Sequence, residues 1–179
     1  LDNKHRGRAE MRREWFENGA AADLLCLSGA MSGDIGAAIA AGNVEQAAQL
    51  AADWARLFPD AFYIEIQRAG HPGTETYIRH AVDIAGRLGL PVVATHPVQF
   101  LKREDFKAHE ARVCIVQGYV LADKRRPRDF TEEQYLKSQA EMCELCADLP
   151  EALENAVEIA RRCSLSVQLG KNFLPLFPT

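Results

Sequence analysis

Residues 90–100, Leu-Pro-Val-Val-Ala-Thr-His-Pro-Val-Gln-Phe, constrain the fold more than any other stretch. The run at 91–95 is short, apolar and nearly unbroken. Between turn signals, such a run suits a strand buried on both faces, as in parallel sheets. A helical pattern leads into it and stops at Gly89. His96, Pro97 and Gln99 sit just past its C-terminal end. In barrels built from βα units that end carries the chemistry, so a catalytic side chain is expected at 95–99 if the chain has one.

Upstream, strand and helix patterns alternate. Residues 23–28, Asp-Leu-Leu-Cys-Leu-Ser, are a buried-strand candidate running into a small-residue turn at 29–34 and an Ala-rich helix over 35–41. Glycines between strand and helix can turn backbone N–H groups toward an anion. The spacing here fits no phosphate-loop signature, which favours a tight turn. Asn43 reads as an N-cap, with Gln46 completing a capping box. Val44, Ala47, Ala48, Ala51, Trp54, Ala55 and Phe58 share one helical face, which Pro59-Asp60 ends. Residues 62–68 are β-branched and aromatic, hence a strand. Its Glu65, between Ile64 and Ile66, either faces outward or points into a site. After a loop at 69–73, Thr74 caps a helix with Tyr77, Ile78, Ala81, Val82, Ile84, Ala85 and Leu88 at helical spacing, and Gly89 terminates it. Strand starts roughly 30–40 residues apart fit βαβ units, a parallel sheet and right-handed crossovers. The fold class is therefore α/β.

The flanks are more polar. Residues 4–16 are basic, with Arg6, Arg8, Arg12 and Arg13, and read as a helix closed by Gly19. A solvated face is favoured there over a phosphate-contacting patch. Residues 104–117 read as a helix with Phe106, Val113, Cys114 and Val116 as core candidates. A helical histidine such as His109 suits packing better than ligation. Residues 118–130 are a polar loop holding Lys124-Arg125-Arg126-Pro127-Arg128. Thr131 with Gln134, and Ser138 with Glu141, form two capping boxes that start helices. Pro150 opens a helix through Arg162, with Leu153, Ala156, Val157 and Ala160 inward. Residues 165–169 read as a last strand, and the tail with Pro175 and Pro178 as an extended linker.

The 179 residues suffice for one domain with a core. Hydrophobic residues at 47% and charged residues at 26% are ordinary for a soluble globular chain. No run is long enough to span a bilayer, and a net charge of −4 argues against a broad nucleic-acid surface. The N-terminus lacks both the apolar core of a signal peptide and an initiator Met, so a piece of a longer protein is expected. Five cysteines (Cys26, Cys114, Cys143, Cys146 and Cys163) without a secretory signal fit a reducing, cytoplasmic setting. Cys143 and Cys146 are the one close pair. A structural zinc site needs four ligands, so two ordinary helix cysteines are favoured.

No Gly-x-Ser-x-Gly, His-Glu-x-x-His or Walker loop is present. The strand-end blocks do resemble a known family. Leu27-Ser28-Gly29-Ala30-Met31-Ser32-Gly33-Asp34, Phe62-Tyr63-Ile64-Glu65-Ile66-Gln67-Arg68 and Val92-Val93-Ala94-Thr95-His96-Pro97-Val98-Gln99-Phe100 are similar, in order and spacing, to the alpha subunits of bacterial DNA polymerase III. These are the family C replicative polymerases. Residues 108–115, residues 141–145 and the tail Phe173-Leu174-Pro175-Leu176-Phe177-Pro178-Thr179 extend the likeness over essentially the whole chain. It is closest to the proteobacterial form. It falls in the polymerase-and-histidinol-phosphatase (PHP) domain, a distorted, TIM-like βα barrel in that family. The resemblance implies that residues 1–170 are the later part of that domain, with additional C-terminal helices. Residues 171–179 would be a linker toward the polymerase palm, whose aspartates would lie beyond Thr179, as the family's opening His-x-His segment would lie before Leu1.

Metal-binding members have a Cys after the Leu-Ser-Gly, where this chain has Ala30. They have Asn-Asp-x-His after the Ala-Thr strand, where this chain has His96-Pro97-Val98-Gln99. Pro97 thus stands in the Asp slot and Gln99 in the His slot. Alanine and proline side chains donate nothing to a metal, and an amide is a poor substitute for imidazole. His96 is one position off, which on a strand reverses the face.

The resemblance therefore implies a DNA-directed DNA polymerase as parent, using magnesium, and no catalytic, cofactor or metal residue in this segment. The implied role is architectural: support of the polymerase core and docking of the proofreading exonuclease subunit, beside other replicase subunits. DNA would be met through the rest of the parent, and the loop at Arg126 stays open as a further contact. A cytoplasmic location without membrane attachment is expected. The alternative is an active metal-dependent phosphoesterase or 3′ exonuclease with Glu65, His71, His96 and His109 as ligands. A free-standing βα metabolic enzyme is a third reading. A barrel sheet cut in half has two open edges, so the isolated chain is expected to self-associate through residues 23–100.

Overall fold

The computed structural model describes residues 4–5, 8–9, 11–17, 19 and 21–171. The chain opens with a short antiparallel pair, β1 (Lys4–His5) and β2 (Arg8–Ala9). A 3₁₀ turn follows at Arg13–Phe16. The basic segment is therefore not the expected helix closed by Gly19, and Arg6 lies outside the described residues. Glycine, which stands at position 7 of the sequence, is a poor helix residue. Arg13 lies 4.9 Å over the Trp54 ring and 4.0 Å from Asp53, turned toward the protein's own surface.

Three parallel strands form the centre in the order β3 (Cys26–Leu27), β4 (Phe62–Gln67) and β5 (Val92–Thr95). Helices α1 (Asp34–Ala40) and α2 (Val44–Leu57) link β3 to β4, and α3 (Thr74–Leu88) links β4 to β5. The first five residues of β4 are all buried, so both faces of the sheet are covered. Apolar periodicity explains the helices: Ala47, Ala48 and Ala51 of α2, and Tyr77, Ile78, Ala81, Ile84 and Ala85 of α3, face the core. Small alanines let these helices approach the sheet closely. The register sets Ile64 opposite Val92 and Gln67 opposite Thr95, which aligns the strand ends.

Two caps differ from expectation. Asn43 precedes α2 but its side chain makes no capping bond. Gly73, in the left-handed region, precedes α3; Thr74 is the first helical residue and donates its hydroxyl to the His71 carbonyl at 2.8 Å. Gly89 ends α3 in the left-handed conformation, as expected. β3 is shorter than residues 23–28, because among the described residues only β4 pairs with it and Leu24 is exposed.

Beyond β5 come α4 (Phe106–Gln117), α5 (Gln139–Leu145) and α6 (Pro150–Arg162), making six α-helices among the described residues. Val116 is not core: it is 81% exposed, like Ile115, because the last turn of α4 extends past its packing partners. Residues 131–137 do not begin a helix. The Thr131 N–H donates to the Gln134 side chain at 2.9 Å, closing a turn, and the Thr131 hydroxyl donates to the Ala69 carbonyl. The backbone then runs extended and pairs at Tyr135 with Phe100. The Ser138–Glu141 capping box forms in full and starts α5. Pro150 sits at the start of α6. Asn155 of α6 donates to the Val92 carbonyl at 2.8 Å, fixing the helix along β5. That rotation buries Ala152 and leaves Val157 and Ala160 exposed instead of inward. Residues 165–169 form no strand, because α6 already lies along the outer side of β5. The proposed linker, from residue 172 on, lies outside the described residues. No described helix is long and apolar enough to cross a membrane.

Candidate functional site

The strand ends converge on Glu65. It is 9% exposed and points into the sheet's C-terminal end, which resolves the two orientations its position in β4 allowed. Oε2 accepts from the Gly29 N–H at 3.1 Å. Oε1 accepts from Gln67 Nε2 at 3.1 Å and from the Thr95 hydroxyl. Gln67 also donates to Thr95 Oγ1 at 2.9 Å. The Glu65 backbone N–H donates to Ser28 Oγ at 2.9 Å, and the Tyr77 hydroxyl donates to the Glu65 carbonyl at 2.7 Å. Burial, with the nearby Glu65 charge, pushes the Tyr77 phenol up to about 12 against the Ser28 hydrogen bond, so it stays a donor. One carboxylate thus ties β4 to the turn after β3 and to the end of β5. The sequence places Thr95 in the 95–99 stretch expected to hold a catalytic side chain, but pairs neither Thr95 nor Gln67 with Glu65. Gln67 was findable, because residues two apart on a strand share a face.

The turn after β3 is shaped by close backbone approach. A Cβ at Gly33 would fall on the Ser28 carbonyl oxygen, and one at Gly36 on the Ala30 carbonyl. Both positions therefore demand glycine, and the small-residue run serves as a tight turn. Ala30 carries a φ of +48°, a left-handed backbone that costs an alanine about 1 kcal/mol.

The histidines scatter. His71 lies in the loop before α3 and lines a cavity of 490 Å³ over the strand ends, together with Ala30, Gln67, Pro97, Phe130 and Gln134. His96 Nε2 lies 2.9 Å from the Glu133 carbonyl. His109 is buried on α4 between Phe100 and Phe130, with ring centroids at 5.3 and 4.7 Å. Arg112 meets its Nδ1 at 3.2 Å. Burial first, and Arg112 second, hold the His109 imidazole below its ordinary pKa against the pull of Glu110. These three do not gather around Glu65.

A PHP-domain family model matches residues 1–69. Curated DNA polymerase III alpha subunits match far more of the chain. That of Neisseria meningitidis serogroup A is 56% identical over 172 residues, covering 96% of this chain and 15% of the relative. The Pseudomonas aeruginosa protein is 49% identical over 178 residues, 99% of this chain and 15% of the relative. The chain belongs to the DNA polymerase III alpha-subunit family. The Escherichia coli K12 alpha subunit, 48% identical over 156 residues, covers 87% of this chain, which spans 13% of it. The chain spans about 15% of the length of the curated relatives first matched.

The three positions that the alpha-subunit resemblance assigned to metal are occupied as follows. Ala30 is buried and offers a methyl group. Pro97 is half-buried and its carbonyl accepts from Gln134 Nε2 at 3.2 Å. Gln99 is exposed, and its N–H donates to the Gln134 carbonyl at 2.8 Å. Among the described residues no group of three or more His, Cys, Asp or Glu side chains is arranged to hold a metal ion. Elsewhere, Arg126 is internal: it pairs with Glu110 at 2.7 Å and donates to the Leu121 carbonyl at 3.2 Å. Lys124 and Arg128 beside it are exposed. All five cysteines are free, and burial pushes the Cys146 thiol up.

Proposed function

We propose that residues 1–170 are the later part of the PHP domain of a replicative, DNA-directed DNA polymerase and act there as a metal-free support. Its three-stranded sheet would be part of a distorted βα barrel, with residues 171–179 leading toward the palm. One observation carries the metal-free assignment. Both oxygens of Glu65, the sole carboxylate buried at the strand ends among the described residues, are engaged by protein donors, beside Ala30, Pro97 and Gln99. A ligand set needs free lone pairs in a fixed geometry with supporting contacts. Here the same contacts serve to lock strands together.

Nucleotide transfer would use magnesium held by residues of the parent outside this chain. The same reading gives the segment a docking role for the proofreading exonuclease subunit, in the company of other replicase subunits and in the cytoplasm. The high identity to alpha subunits supports it, as do free cysteines suited to a reducing compartment. In isolation the chain would self-associate, since β3 has one strand neighbour among the described residues and open edges template pairing.

Elemental analysis of protein purified without chelator tests the metal-free support. The expected result is well below one zinc or manganese per chain, with background primer extension and 3′ exonuclease activity and a scattering mass above that of a monomer. Near-stoichiometric metal that disappears in His96→Ala, or nuclease activity lost in Glu65→Gln, would overturn it.

A further inference from the structure

Residues 131–137 lie over the loop that follows β5. Backbone bonds hold them there, from the Gln99 N–H to the Gln134 carbonyl at 2.8 Å and from the Leu136 N–H to the Phe100 carbonyl at 3.0 Å. Gln134 Nε2 adds a bond to the Pro97 carbonyl at 3.2 Å. Gln134 of this segment lines the 490 Å³ cavity over the strand ends, next to Asp129 and Phe130 just before it, so the segment forms part of the cavity's enclosure.

One further tie has a titratable donor. His96 Nε2 lies 2.9 Å from the Glu133 carbonyl. A carbonyl only accepts, so Nε2 carries the hydrogen and Nδ1 is the bare nitrogen. Nδ1 is buried and has no hydrogen-bond partner. Protonation would place a new N–H there, on a charged and half-buried ring, where a backbone group at Tyr135 favours the charged form but does not outweigh burial, and a poorly paired buried donor is costly. The charges nearby come from several segments. Lys137, 5% exposed, sits 3.8 Å over the Tyr135 ring and pairs with Glu133 at 3.0 Å. Arg103 pairs with the same Glu133 carboxylate. His71 and Asp129 line the cavity itself. Two cations already share the one carboxylate, so a further positive charge on His96 is opposed.

We propose that residues 131–137 are a pH-released cover over the strand-end cavity, latched while His96 is neutral. Burial first, and Lys137 second, hold the His96 imidazole below its ordinary value of 6.5, against an opposing backbone contact at Tyr135. The sign follows from linkage. The latched state prefers the neutral ring, so its advantage is complete above 6.5 and is lost as pH falls below that value toward the depressed one. This holds whether or not the segment belongs to a polymerase.

Amide hydrogen exchange on the whole chain tests it, comparing about pH 7.5 with about pH 5.5, either side of the ordinary histidine range, after correction for intrinsic rates. Protection of the Gln99 and Leu136 amides should fall at least about fivefold at the lower pH, the loss expected from one unpaired buried donor. The Ile64 amide, bonded to the Pro91 carbonyl at 2.9 Å, serves as the unchanged control. His96→Gln keeps a side-chain donor that does not titrate, and should remove the pH response. A response of equal size in His96→Gln, or none in the wild type, overturns the proposal. Should that variant not fold, ring nitrogen shifts of wild-type His96 decide. Titration below 6.5 that tracks the amide loss supports the latch, and titration at or above 6.5 overturns it.

Discussion

The chain on either side of Thr95 is held together by different means. Before it, helices with one apolar face close on a sheet; among the described residues the buried hydrophobic cluster takes Cys146 and Ala152 from beyond Ala94, with Leu145, Leu149 and Leu153 half-buried against it. After it, the connections are mostly polar and specific. Arg68 reaches Asp148 at 2.6 Å and the Leu145 carbonyl at 2.8 Å, Arg126 reaches Glu110, and His96 reaches the Glu133 carbonyl. A small aromatic group of Phe100, Phe106, His109 and Phe130 is the nearest thing to a second core. Apolar residues beyond it, such as Ile115, Val116 and Val120, are exposed. The first region is stabilised by area removed from water, which is insensitive to pH. The second depends on individual donors and acceptors and therefore on their protonation.

The largest expected effect tests the first half of that contrast. Ile64→Ala opens a cavity at a fully buried position in the central strand and should cost about 2–5 kcal/mol in urea unfolding. Val116→Ala, equally aliphatic, should stay within about 0.5 kcal/mol of wild type. Comparable losses at both sites would mean that the second region carries a core of its own.

Glu65→Gln comes next, because it strikes the polar link inside the apolar region. The carboxylate accepts from the Gly29 N–H, Gln67 and Thr95. An amide must turn its own donor toward one of them, leaving a buried donor unpaired. The expected loss is about 1–3 kcal/mol, read by denaturant unfolding. An unchanged midpoint would show that the strand ends do not rely on this residue.

This contrast also explains what could be read in advance. The α2 and α3 faces follow a 3.6-residue period, and β4 is a β-branched run, so burial alone specified them. Periodicity says nothing about a donor meeting an acceptor far along the chain. The Thr131–Gln134 pair has the composition of a capping box, yet the Thr131 hydroxyl is bound to Ala69, a contact local sequence does not encode. Val157 on α6 obeys the helical period but faces solvent, because Asn155 fixes the helix's rotation through Val92. At the strand ends, the alpha-subunit resemblance marked positions 30, 97 and 99 as metal slots, and side-chain chemistry made Ala30, Pro97 and Gln99 poor donors there. The partners of Glu65 depend on register between strands, and only the fold supplies that.

The smallest effect should appear at the start of α5, inside the polar region. Ser138 accepts from the Glu141 N–H, and Glu141 accepts in return from the Ser138 N–H at 2.7 Å and from the Tyr135 hydroxyl at 2.6 Å. Tyr135 first, and Ser138 second, pull the Glu141 carboxyl down to about 2 from an ordinary 4.5. A depressed value means the cap is complete above 4.5 and is lost as pH falls toward about 2. Ser138→Ala should remove about 1 kcal/mol from α5 and flatten this acid response. The Met142 amide, bonded to the Ser138 carbonyl at 3.0 Å, reports the fraying in hydrogen exchange, while Ile64 reports the sheet. The ties of α5 to the rest of the core lie at its C-terminal end, where the Leu145 carbonyl accepts from Arg68 and Leu145 packs on the buried cluster, so its first turn should open while Ile64 stays protected. Simultaneous loss at both amides would show the two regions to be one cooperative unit.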